Sequence, residues 1–128
     1  MIKAIIFDLD GVLVNTKLIH FSALNYALEN NEIAPIKYED HVKIYDGLPT
    51  SEKLEFLNKI NKISKKQKIN IHKLKQKRTL NLLMKSIIFD KKKFDLFESL
   101  HRKYKIGIAT NAVKSTLTIC LKKLGINK

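Results

Sequence analysis

Ile5-Ile6-Phe7-Asp8-Leu9-Asp10-Gly11-Val12-Leu13-Val14 constrains this chain more than any other stretch. An apolar run rises to two carboxylates one residue apart, breaks at a glycine and turns apolar again. Alternate residues of an extended segment share a side, so Asp8 and Asp10 are predicted to leave one strand end into the same small volume. Two carboxylates about 4 Å apart repel by about 4 kcal/mol at an effective dielectric near 20. A chain that keeps such a pair usually has a cation or a shared proton between them. The plain alternative is a strand running into an Asp-Gly turn, and the apolar residues on both sides argue against it.

The 128 residues make one domain, or one domain with a small insert. A lone Cys120 excludes an internal disulfide framework and suits a reducing compartment. No apolar run approaches the roughly 18 residues needed to span a bilayer. The acidic pair also interrupts the opening where a signal peptide would stay apolar. A cytoplasmic protein without membrane association is the expectation. The net charge of +13 is uneven: residues 1–64 carry 7 Lys against 9 acids, and residues 65–128 carry 16 Lys and 2 Arg against 3 acids. Because the excess is Lys and travels with abundant Ile and Asn, it reads as biased composition rather than a nucleic-acid surface.

Residues 2–7 read as a strand covered on both faces, as in a parallel sheet, with Asp8 at its carboxyl end. Asn15 or Thr16 can cap a helix over about 17–30, whose apolar positions are Leu18, Ile19, Phe21, Leu24 and Leu28. A short helix is expected within 37–46. Asp46-Gly47-Leu48-Pro49-Thr50-Ser51 is a turn feeding a helix of about 51–63 that buries Leu54, Leu57 and Ile60. The Lys-rich segment 58–78 reads as helix-loop-helix, with the next helix over about 72–86. Phe94, Phe97, Leu100 and Tyr104 mark a helix of about 92–103. Lys105-Ile106-Gly107-Ile108-Ala109-Thr110-Asn111 then repeats the opening grammar, a short apolar strand ending in small polar residues. The last helix, about 113–124, carries Val113, Leu117, Cys120, Leu121 and Leu124, and Gly125 stops it. Thr110-Asn111 can also be read simply as the cap of that helix.

Asp8-Leu9-Asp10-Gly11-Val12-Leu13-Val14 together with Ile106-Gly107-Ile108-Ala109-Thr110-Asn111 resembles the two leading signatures of the haloacid dehalogenase superfamily. The first is an apolar strand ending in D-x-D-G; the second is an apolar strand ending in Thr or Ser followed by Asn. The resemblance runs over the whole chain and is nearest to the phosphoglycolate-phosphatase-like and beta-phosphoglucomutase-like branch. It implies an α/β fold. Residues 1–14 and 88–128 would form the first two strands of an incomplete Rossmann-like parallel-sheet core, with 15–87 inserted as an α-helical cap.

The resemblance also implies a chemistry, a Mg²⁺-dependent hydrolysis of a small phosphorylated metabolite through an aspartyl-phosphate. Asp8 would be nucleophile and metal ligand, and Asp10 the acid/base and, through its main-chain carbonyl, a second metal ligand. Gly11, Thr110 and Asn111 would hold the phosphate, with His20, Gly47 and Thr50 on the cap side facing the substrate. Relatives that handle sugar phosphates carry an Arg shortly after the cap glycine, whereas Gly47-Leu48-Pro49-Thr50 has none. His41, His72 and His101 lack metal-ligand spacing and read as structural. Members carry a third-motif Lys and fourth-motif acids after the Thr-Asn strand. Residues 112–128 contain no acid, and Lys114, Lys122, Lys123 and Lys128 stand too near the second motif. The chain is therefore expected to be truncated. The alternative function is an inactive remnant that binds phosphate, or that self-associates or docks a partner through its open sheet.

Overall fold

In the computed structural model, residues 1–126 are described; Lys128 lies outside them. The elements are β1 (Ala4–Phe7), α1 (Lys17–Glu29), α2 (Tyr38–Asp40) running into a π-helical turn (His41–Tyr45), α3 (Thr50–Asn61), α4 (Lys65–Ser86), α5 (Lys91–His101), β2 (Lys105–Ile108) and α6 (Lys114–Leu124). β1 and β2 pair in parallel, from Ala4 opposite Lys105 to Phe7 opposite Ile108. This is the expected α/β architecture, an incomplete Rossmann-like parallel core with an inserted helical cap. The chain divides into two compact units, Met1–Thr16 with Leu80–Lys128, and Lys17–Thr79.

In the first unit, the apolar opening does not produce a strand covered on both faces. Phe7 packs its ring 5.1 Å from that of Phe97 on α5. Ile6, which points the other way, is 71% exposed. A pair of strands with a helix against one side leaves its other side open.

The second unit is closed by aliphatic packing. Leu24, Leu28, Leu54, Leu57, Ile63 and Ile71 meet in one buried cluster. Two expected core positions fail. Leu18 is exposed, because α1 turns Ala23, Leu24, Ala27 and Leu28 inward. Ile60 is exposed as well, because α3 stops one residue later and left-handed Lys62 brings Ile63 inward to close that end of the core.

The clearest difference from expectation is α4, which begins at Lys65 rather than near 72. Its start is a capping box. Gln67 N–H donates to Ser64 Oγ at 3.2 Å, and Ser64 N–H donates to Gln67 Oε1 at 3.0 Å. Farther along, every fourth residue is buried: Ile71, Lys75, Thr79 and Leu83. Two of those four are polar, so the helix carries a helical burial period that its apolar residues do not display.

Candidate active site

Past Phe7 the chain leaves β1 and folds back at once. Leu13 and Val14 N–H both donate to Leu9 O, at 3.0 and 3.1 Å, and Gly11 N–H donates to Val14 O at 2.7 Å. Gly11 has φ +81°, a left-handed conformation that a side chain would strain although open space surrounds it. Asp8 sits exposed at the strand end, its Oδ1 accepting from Leu9 N–H at 2.7 Å. Asp10 lies inside the turn, half-buried, and its Oδ1 accepts a hydrogen bond from the hydroxyl of buried Thr16. Asp10 is therefore held by the residue immediately before α1.

The second strand ends beside the first. Ala109 N–H donates to Phe7 O at 2.9 Å, one step beyond the paired residues. Neighbouring strands lie about 4.8 Å apart, so Asp8 and the Ala109–Thr110 segment emerge side by side from one end of the sheet. Thr110 Oγ1 accepts from Ala112 N–H at 3.0 Å, folding the loop into a side-chain-closed turn. The cap of α6 is Val113, with no side-chain cap bond, so Thr110-Asn111 does not form the helix cap that is the plain reading of this pair. Cys120 of α6 is fully buried, and its thiol is pushed up to about 11 by burial and then by the negative charge of Asp10. That thiol is inert at neutral pH.

The cap-side candidates belong to the unit Lys17–Thr79. Gly47 is left-handed at φ +76° and follows Asp46, which pairs with Lys17 at 3.0 Å. The hydrogen bond and charge of Asp46 raise the Lys17 pKa above its ordinary value. Thr50 is buried, and its Oγ1 accepts from Lys75 Nζ at 2.9 Å. His20 interacts electrostatically with His41. His41 is fully buried beside the rings of Phe21 and Tyr38, with no hydrogen-bond partner at either nitrogen among the described residues. Burial first, and the Lys53 charge second, lower its pKa to about 4. His72 and His101 are exposed on helices.

Three residues that bond to a candidate or to its turn escape a motif-based reading: Thr16 on Asp10, Lys75 on Thr50, and Lys93, whose Nζ donates to Leu13 O at 3.1 Å. Thr16 could have been found as a hydroxyl just beyond the D-x-D turn. Lys75 and Lys93 carry no local signal within a lysine-rich sequence. Among the described residues no three His, Cys, Asp or Glu side chains are grouped to hold a metal. Mg²⁺ commonly takes only one or two carboxylates and fills its other positions with water and substrate oxygens. A donor set of the exposed Asp8 carboxylate with the Asp10 main-chain carbonyl would fit that habit.

The profile of the haloacid dehalogenase-like hydrolase family matches residues 5–128. The chain belongs to this family. Solved structures similar to it include a hydrolase from Pseudomonas syringae, with a TM-score of 0.77 and 29% identity, over 96% of this chain and 55% of that one. Another is a beta-phosphoglucomutase from Clostridium difficile, with a TM-score of 0.74 and 27% identity, over 100% of this chain and 59% of that one. The chain thus spans somewhat over half the length of both. No curated protein matches it. Among the described residues, no helix is long and apolar enough to cross a membrane.

Proposed function

We propose that the site hydrolyses phosphate monoesters of small metabolites, with Asp8 as nucleophile. The observation that carries this is the adjacency of Asp8 and Thr110 at the carboxyl ends of two paired parallel strands. The Asp8 carboxylate attacks phosphorus and forms an acyl-phosphate as the ester bond breaks. Protonated Asp10 gives its proton to the departing alcohol oxygen, then takes one from the water that attacks the acyl-phosphate. Thr16 orients Asp10 through the hydroxyl bonded to its carboxylate. Thr110 and Asn111, with the Gly11 turn, hold the phosphoryl oxygens. Mg²⁺, held by Asp8 and the Asp10 main chain, would offset the charge that separates carboxylate from phosphate. His20 and Gly47 are proposed to contact the rest of the substrate, and a cytoplasmic location suits such a metabolite. Thr50, expected beside them, is buried against Lys75 and holds the start of α3 instead.

The test is hydrolysis of p-nitrophenyl phosphate with Mg²⁺ by the purified chain. Asp8→Asn should lower turnover at least about a thousand-fold. Turnover that survives the substitution would rule out Asp8 as the nucleophile. A second reading, a phosphate-binding module that docks a partner through its sheet, draws support from the exposed Ile6 face. It is favoured if the unsubstituted chain binds phosphate but turns nothing over.

A further inference from the structure

Lys91, Lys92 and Lys93 open α5 as three consecutive, exposed lysines. The sequence gives no reason to distinguish them, but the structure does. Lys91 Nζ pairs with Asp95 at 2.8 Å along the same helix face. Lys93 Nζ reaches out of the helix and donates to the main-chain carbonyl of Leu13 at 3.1 Å, across eighty residues of sequence. Leu13 is only 7% exposed and its bond to Lys93 is partly buried, so the ammonium serves a carbonyl partly withdrawn from water. The lysine's own backbone is also fixed. Asp90 caps α5, its Oδ1 accepting from Lys92 and Lys93 N–H at 3.0 and 3.2 Å.

We infer that Lys93 is a positioning residue for the Leu9–Val14 turn and, through it, for Asp10. The inference rests on the acid/base role proposed above for Asp10. The turn is closed internally by the bonds of Gly11, Leu13 and Val14. Those bonds define its shape but do not tie it to the rest of the unit. Thr16 holds the Asp10 carboxylate from the following segment, and Lys93 holds the Leu13 carbonyl from α5. Asp10 takes one anchor directly and lies in the same turn as the other, three residues before Leu13. A long ammonium side chain loses rotamer freedom to make such a contact, and a hydrogen bond from a charged donor is strong enough to offset that loss.

The experiment uses the full chain with Lys93→Met, Lys93→Arg and, as an equally charged neighbour, Lys92→Met. Amide hydrogen exchange is followed at Gly11, Leu13 and Val14, and p-nitrophenyl phosphate turnover with Mg²⁺ in parallel. Lys93→Met should exchange about ten-fold faster at those three amides, with amides elsewhere in the chain unchanged. Lys93→Arg should restore the rates to within about two-fold, and Lys92→Met should leave them alone. In turnover, Lys93→Met should lower kcat about ten-fold and hold KM within about two-fold, again with rescue by Arg. Equal exchange in Lys93→Met and Lys92→Met overturns the inference. So does acceleration spread evenly over the chain, which would report general destabilisation. If the three amides respond as expected but no variant, nor the original chain, turns substrate over, the positioning of the turn stands and the phosphatase reading is the one that fails.

Discussion

The two units of this chain solve the burial problem differently. Lys17–Thr79 closes on itself, gathering leucines and isoleucines from α1, α3 and α4. It buries even His41, Lys53 and Lys75. The unit containing β1 and β2 packs Phe7 against α5 but leaves Ile6 open on the other face. The polar groups of this unit are concentrated where the strands end, in a turn that buries Leu9, Leu13 and Val14 and takes its shape from hydrogen bonds. One unit is specified by packed volume; the other, at its functional end, adds hydrogen-bond geometry to the burial of Leu9, Leu13 and Val14. Substitutions should therefore fail in different ways in each.

The largest expected effect is in the closed unit. Leu28→Ala removes a fully buried side chain from the cluster and should cost about 2–5 kcal/mol, read as a lowered denaturant midpoint. A cost below about 1 kcal/mol would break the comparison.

Acid should expose the same unit through His41. Its folded pKa of about 4 lies below its ordinary 6.5, so the unfolded chain binds the proton first as pH falls. The stability that goes with neutral His41 is complete above pH 6.5 and is lost as pH falls through 6.5 toward about 4. The loss amounts to about 2–3 kcal/mol. Thermal unfolding from pH 7 to 4 should show that slope, and His41→Leu should flatten it.

In the other unit, Gly11→Ala should cost about 1–2 kcal/mol through strain at φ +81° alone, since no neighbour would be struck. Its loss of phosphatase turnover should exceed what that destabilisation explains, which would sharpen the contrast between a core and a hydrogen-bonded turn. The smallest effect belongs to Ile6→Thr, expected within about 0.5 kcal/mol by denaturation because the side chain is already in water. A large loss there would mean that something covers this face in solution, and sedimentation of the variant against the original chain would identify self-association.

Much of this was legible in the residues. Both strand ends were, because a short apolar run stopping at Asp8 or at Thr110 leaves little else to build. α1, α3, α5 and α6 followed from apolar spacing, with ends within a residue or two. The early start of α4 was missed although Ser64-Lys65-Lys66-Gln67 carries the S-x-x-Q capping pattern, and the lysines after it obscured the signal. The exposure of Ile6 and Ile60 was not legible, because burial depends on which elements cover a face, not on the residue's own hydropathy. Nor was the structural isolation of Thr110-Asn111 from the cap of α6, which falls to Val113.

By itself the sequence determined the family and the two strand ends at which Asp8 and Thr110 stand. These are properties of local spacing, and two-residue alternation or a short motif transmits them without reference to the rest of the chain. Only the tertiary structure decided which hydroxyl takes the Asp10 carboxylate, which of three adjacent lysines grips the Leu13 carbonyl, and which lysine meets Thr50. Those choices join residues far apart in sequence, and a long, flexible, charged side chain carries no local mark of where it will reach until the helix beneath it has been fixed.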